Sequence, residues 1–175
     1  MALGYALARD EPGVYNVVPG PGFLNSTAAL STAYATNAKV LCLTGQIPSA
    51  YIGRGIGLLH EIPDQLGVLR SLTKWADRIG ATPSAPDLVA EAFRQLNSGR
   101  PRPVGLECAM DVLANSAPVD LMAAPFPLRH PPVDTDALEN AAKILGQAKH
   151  PMIFVGRGAM NVSEEVKQLA EMLQA

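Results

Sequence analysis

Neither sign of charge is in excess: fourteen basic side chains stand against sixteen acidic ones, a formal charge of −2. Without a basic surplus there is little to hold a polyanion, so nucleic acid is not expected as a partner. Cysteine is nearly absent. Cys42 and Cys108 both lie in apolar runs, with no C-x-x-C pair and no Cys/His cluster around them. That argues against a disulfide framework and a zinc site. Buried free thiols in a reducing, cytoplasmic setting are expected instead. Long apolar runs are missing too. The uncharged stretch from Gly13 to Ala38 is broken by Pro19, Gly20, Pro21 and Gly22 and by Ser, Thr and Asn residues, so it does not read as a spanning helix. The opening residues Met1 to Tyr5 carry no basic segment ahead of an apolar core, and no signal peptide is expected. There is no G-x-S-x-G, no P-loop, no metalloprotease motif, no His in a triad context, and no repeat or low-complexity tract.

What is present is a globular composition. The chain has 175 residues, 48% hydrophobic and 17% charged, which excludes intrinsic disorder. The pattern alternates helices with apolar strands. Met1 to Arg9 reads as the last turns of a helix, broken by Asp10-Glu11-Pro12-Gly13. Val14 to Val18 reads as a buried strand, and Pro19 to Gly22 as a turn that continues neither strand nor helix. A helix of small residues is predicted from Phe23 to Thr36, and a strand apolar on both faces from Lys39 to Thr44. Gly45 to Gly57 reads as a glycine-rich loop, Pro63 to Leu72 as a helix with Pro63 in its first turn, and Lys74 to Ile79 is ambiguous. Ala85 to Asn97 carries one apolar stripe, Leu88, Val89, Ala92, Phe93 and Leu96, and is predicted helical with Gly99 as its stop. Pro103 to Cys108 is a further strand.

From Ala109 to Val133 the periodicity dissolves, and Pro118, Pro125, Pro127, Pro131 and Pro132 mark an extended linker. Asp134 then caps a helix to about Gly146. Met152 to Val155 reads as a strand, Gly156-Arg157-Gly158 as a turn, and Val162 to Leu173 as a helix. The fold class expected is α/β, a parallel sheet flanked by helices, followed by a truncated second α/β unit. A single strand with two helices cannot cover its own sheet faces, which suggests a fragment.

Several stretches could carry chemistry. Val17 to Asn25 places a Gly-Pro corner where a strand hands over to a helix, the end of a parallel strand at which ligands bind. Glycine there admits a ligand close to the main chain, or simply makes a tight turn. Leu43 to Pro48 places Gln46, with two donors and an acceptor oxygen, at the next strand end, as a contact or as a turn residue. His60-Glu61 with Asp64 invites an acid–base reading or a helix start with favourable acids. Gly156-Arg157-Gly158 is half of a dinucleotide fingerprint.

In order along the chain, Gly4-Tyr5-Ala6, Gly20-Pro21-Gly22 with Asn25, Thr44-Gly45-Gln46-Ile47-Pro48, Arg70 to Trp75, and Ser98-Gly99-Arg100-Pro101 with Pro103-Val104 match one pattern in type and spacing. The sequence resembles the thiamine diphosphate-dependent enzymes, and within them the large, catalytic subunit of acetolactate synthase. The resemblance implies a pyrimidine-binding domain, incomplete at its N-terminus, over 1–111, a Pro-rich linker over 112–133, and the start of a central domain over 134–175. It implies thiamine diphosphate as cofactor, with Gly20, Pro21, Gly22 and Asn25 near its pyrimidine and Gln46 facing the reaction centre as the catalytic candidate. No metal ligand is implied in this chain. Magnesium would be held by a diphosphate-binding domain that is absent here, as is the family's activating glutamate. FAD binds the central domain in some members.

The partners implied are a small 2-oxo acid and either a second copy of the chain or the missing domains. The protein would be a decarboxylase or carboligase in part only, inactive alone. Where acetolactate synthases carry Asp-Ala-Phe-Gln-Glu, this chain has Gly57-Leu58-Leu59-His60-Glu61, which leaves a benzoylformate-type or other decarboxylase as an alternative. The readings outside the family are a non-catalytic nucleotide- or flavin-binding module and a stand-alone α/β partner-binding scaffold.

Overall fold

The computed structural model describes residues 1–120 and 132–175, which fall into two separate units. The first contains a four-stranded sheet in which every pairing is parallel. Helix α1 (Ala2–Arg9) leads to strand β1 (Gly13–Val17), helix α2 (Pro21–Ala35) and strand β2 (Val40–Gln46). A long loop with a 3₁₀ turn at Ser49–Tyr51 follows. Then come α3 (Gln65–Leu72), β3 (Trp75–Ile79), α4 (Ala85–Asn97), β4 (Val104–Ala109) and the short α5 (Met110–Ala114).

The spatial order is β1-β2-β4-β3, so the last strand is inserted between two earlier ones. The chain moves one way across the sheet from β1 through β2 to β3 and reverses into β4. A constant crossover hand then requires α4 to lie on the face opposite α2 and α3, and the core divides accordingly. On one face Phe23, Leu30 and Ala33 of α2 and Leu66 and Leu69 of α3 pack with Val40, Cys42 and Ala76. On the other, Ala92 and Leu96 of α4 pack on Leu41, Val104 and Leu106. Covering both faces explains why β2 and β4 are mostly buried along their length rather than alternating.

Most element ends follow local chemistry. Helix α2 starts at Pro21, two residues before the start expected at Phe23, because proline without its N–H suits the first helical position. Helix α3 starts at Gln65 rather than Pro63, because the Asp64 carboxylate accepts the Gly67 N–H and caps it there. The ambiguous stretch from Lys74 becomes β3 by pairing with β4. Helix α4 spans the residues expected, and Gly99 follows with φ +60°. Strand β2 runs on through Gly45 and Gln46, which the sequence placed in a loop.

The dissolution of pattern expected from Ala109 begins later. Ala109 closes β4, and α5 forms next, tied down by the Asp111 carboxylate, which accepts the Ser49 N–H at 2.8 Å and the Ser49 hydroxyl at 2.6 Å. No periodicity announces a five-residue helix held by one side chain. Of the linker expected over 112–133, residues 121–131 lie outside the described residues.

The second unit contains α6 (Thr135–Gly146), capped by Asp134 through the Ala137 N–H, and α7 (Ser163–Leu173). The strand expected at Met152 to Val155 does not form. Those residues join no ladder, and Met152, Phe154 and Val155 are exposed. A strand needs a neighbour to take its main-chain hydrogen bonds, and none of the described residues supplies one.

Candidate functional site

The carboxyl ends of β1, β2 and β4 converge on a cavity of about 760 Å³. Its walls are Val17 at the end of β1 with Val18 and Pro19 after it, Gly45 to Pro48 at the end of β2, Met110 and Leu113 of α5, and Leu58 to His60 from the loop after β2. Tyr51 and Asn16 complete it. The lining is mainly apolar with a few polar groups, and the volume falls within the range typical of small-molecule sites.

Gln46 stands in this wall and is 4% exposed. Its amide is fixed at both ends. Oε1 accepts the Ile47 N–H at 2.7 Å, and Nε2 donates to Glu107 Oε2 at 3.0 Å. An amide of this kind offers two N–H bonds and two lone pairs, so one of each is not taken by these two bonds.

Behind Gln46 lies a polar cluster in an otherwise apolar core. Glu107 of β4 is fully buried, in register with Thr44 on one side and Arg78 on the other. Its Oε2 accepts from both Gln46 and Gln65, the latter at 2.9 Å, and its Oε1 accepts Arg78 Nε at 2.5 Å. A buried carboxylate is tolerated only when paired and hydrogen-bonded, and here both oxygens are engaged. Gln65, also buried, donates its other N–H to the Gly45 carbonyl at 2.8 Å and accepts the Gly20 N–H at 2.9 Å. The cluster therefore ties the corner after β1 to the ends of β2 and β4. Sequence reasoning passed over Glu107, Gln65 and Arg78. The available signal was one acid inside the apolar run Val104 to Ala109.

The structure separates the other expected contacts. Gly20 turns with φ +59°, and a Cβ built on it would lie 2.6 Å from the His60 carbonyl oxygen. The close approach at that glycine is therefore made by the protein's own backbone. A Cβ on Gly22 would meet Val18 Cγ2 at 2.5 Å. Pro21 and Asn25 are exposed on the first turns of α2, and none of Gly20, Pro21, Gly22 and Asn25 lines the cavity.

His60 does line the cavity, with φ +71°. Its neighbour Glu61 does other work: the carboxylate accepts the N–H groups of Gly55, Gly57 and Leu58 at 3.0, 2.7 and 2.9 Å. It clamps the glycine loop that carries Leu58, Leu59 and His60. The half-fingerprint Gly156-Arg157-Gly158 follows no strand, because Met152 to Val155 forms none, and Arg157 to Ala159 is a 3₁₀ turn. A dinucleotide reading needs the strand-to-helix corner, and that support is gone. Among the described residues, no group of three or more His, Cys, Asp or Glu side chains could hold a metal ion, and no helix is long and apolar enough to cross a membrane.

A cavity at the carboxyl ends of the strands of a parallel α/β sheet lies where proteins of this architecture bind ligands. Residues 1–68 belong to the family described as "Thiamine pyrophosphate enzyme, N-terminal TPP binding domain". It is 37% identical over 177 residues to a Pseudomonas aeruginosa protein named "Probable 2-ketoarginine decarboxylase AruI", covering 100% of this chain and 32% of that protein. It is 30% identical over 182 residues to the mitochondrial acetolactate synthase catalytic subunit of Saccharomyces cerevisiae, covering 98% of this chain and 26% of that protein. It is 29% identical over 175 residues to the large subunit of acetolactate synthase isozyme 1 of Escherichia coli, covering 99% of this chain and 31% of that protein. The chain thus spans about a third or less of the length of the curated relatives it matches.

Proposed function

We propose that this chain forms the pyrimidine side of the active site of a thiamine diphosphate-dependent 2-oxo acid decarboxylase or carboligase, and that it is inactive alone. The observation that carries the reading is the apolar cavity at the ends of β1, β2 and β4 with the fixed amide of Gln46 in its wall. An aminopyrimidine ring has apolar faces and a hydrogen-bonding rim, and these walls with their few polar groups fit it. When bound, thiamine diphosphate supplies the electron sink for decarboxylation of a 2-oxo acid. The chain's own residues bind and shield. Val17, Val18, Ile47, Leu58 and Leu113 exclude water from the ring, and the free N–H and lone pair of Gln46 orient the group placed there.

Gly20, Pro21, Gly22 and Asn25 form the adjoining surface at the start of α2, outside the cavity, and would contact the cofactor only at its margin. Magnesium and the diphosphate would be held by residues outside this chain, supplied by further domains or by a second copy. FAD, where a parent enzyme uses it, would belong to the central domain, of which 134–175 is the beginning. Similarity to a protein named a probable 2-ketoarginine decarboxylase favours a 2-oxo acid as substrate.

Titration of the ¹⁵N-labelled chain with thiamine, which carries the aminopyrimidine without the diphosphate, tests the reading. The expected result is weak, saturable shifts at the backbone amides of Gly45, Gln46, Ile47 and His60. Shifts confined to residues 132–175, or no shifts at the solubility limit of thiamine, would refute it.

A further inference from the structure

We infer that Glu107 is the positioning residue of this site, the group that sets the orientation of the Gln46 amide and the path of the chain at Gly20. The inference rests on the cofactor reading only for what the cavity holds. The geometry itself is independent of it.

Glu107 is fully buried and is the shared acceptor for two glutamines and an arginine that come from three other elements. Gln46 could face the cavity with either end of its amide. Because Oε2 of Glu107 is an acceptor only, it selects the state in which Nε2 points at the sheet and Oε1 takes the Ile47 N–H. The same oxygen selects the orientation of Gln65: Nε2 faces Glu107 and the Gly45 carbonyl, which leaves Oε1 to accept from Gly20. One carboxylate therefore removes the two-fold ambiguity of both amides. Arg78, a third exposed on its side chain, compensates the charge from the opposite oxygen. A carboxylate that only balanced Arg78 would not need both glutamines on its other oxygen.

The substitution Glu107→Gln separates the roles. An amide at 107 keeps the shape but replaces one acceptor oxygen with a donor, so it cannot satisfy the same three donors. In ¹H–¹⁵N spectra of the 175-residue chain, the Gln46 and Gln65 side-chain amides are expected to be well dispersed and slow to exchange. In the Glu107→Gln chain both should move, and exchange of the Gln46 side-chain amide and the Gly20 backbone amide should accelerate at least about tenfold for loss of a buried hydrogen bond. The backbone amides of Leu41 and Leu106, on strands that pack against α4, should keep their shifts and report an intact sheet.

If Glu107→Gln does not fold, Glu107→Asp serves. It retains the charge but is one methylene shorter, and it should still shift the Gln46 side-chain amide. Unchanged Gln46 and Gly20 signals in the variant that folds would overturn the proposal. A thiamine titration of the same pair keeps the two claims apart. Weaker thiamine shifts in the variant support positioning of the cofactor wall. A wild-type chain that ignores thiamine while Glu107→Gln still releases the Gln46 amide refutes the cofactor reading and upholds the positioning role.

Discussion

Gly20→Ala should destabilise the first unit well beyond an ordinary glycine replacement. Gly20 sits at φ 59°, ψ −118°, a region open to glycine and closed to side chains. Holding alanine there costs about 1–3 kcal/mol. The new methyl would also stand 2.6 Å from the His60 carbonyl oxygen and 2.9 Å from its carbon, both main-chain atoms that cannot rotate away. Relieving such crowding costs about another 1–3 kcal/mol. Reduced freedom of the unfolded chain returns only about 0.4–1 kcal/mol. The net loss centres near 3 kcal/mol by these terms, against a total of about 5–15 kcal/mol for a domain, so the variant should still fold.

Gly53→Ala is the control. Its φ is +79°, yet nothing lies within 4 Å of its Cβ, so only the backbone strain applies. Its expected loss is about 1 kcal/mol. Trp75, the single tryptophan, lies in β3, so its fluorescence during urea unfolding reports the sheet unit alone. With a urea slope of about 1–3 kcal/mol per molar, the midpoints of the two variants should differ by about 1 M. Equal midpoints would show that the His60 main chain yields freely, and the close-approach reasoning would fail.

Two further outcomes can be checked on the same chain. The Ser49 hydroxyl, followed by its backbone N–H, holds the Asp111 carboxyl below its ordinary value of 3.8. A depressed native pKa contributes stability that is present above the unfolded pKa and is lost as pH falls through the native one. Ser49→Ala should move Asp111 back toward 3.8 and remove part of that acid-range dependence, and a carboxyl ¹³C titration that leaves Asp111 unchanged would contradict this. Burial raises the Cys42 thiol to about 11. Near pH 8 it should carry about a hundredfold less thiolate than in the unfolded chain and react correspondingly slowly with a disulfide reagent, and prompt stoichiometric reaction in the native state would count against that burial.

Much of the fold was legible because local signals and packing agree. The stripe from Leu88 to Leu96 is the face α4 lays on the sheet, and the two-sided apolarity of Val40 to Leu43 reflects helices on both faces. The strand at Trp75 stayed ambiguous because its pairing with β4 is a tertiary event with no signature in five residues. Met152 to Val155 failed for the converse reason: an apolar run has strand character, but a strand exists only beside another. At the site, Gln46 could be singled out by its position at a strand end. Glu107 carried a signal as the one acid in an apolar run, whereas Gln65 and Arg78 did not, since they lie 42 and 29 residues from the carboxylate they bond and no spacing rule connects them. The role of Gly20 was half visible. The need for glycine was clear, while the neighbour that imposes it, His60, lies in a loop whose course only the folded chain reveals.

The late insertion of β4 into the middle of the sheet has a temporal meaning. During synthesis, β1, β2 and β3 leave the ribosome with a gap at the centre, and no strand pairing joins β2 to β3 until Val104 to Ala109 arrives. The strand that closes the gap is the one that delivers Glu107. Closing the sheet and orienting the Gln46 amide are thus one event, and a nascent or partly opened chain that lacks this central strand has no means of presenting an ordered wall to the cavity.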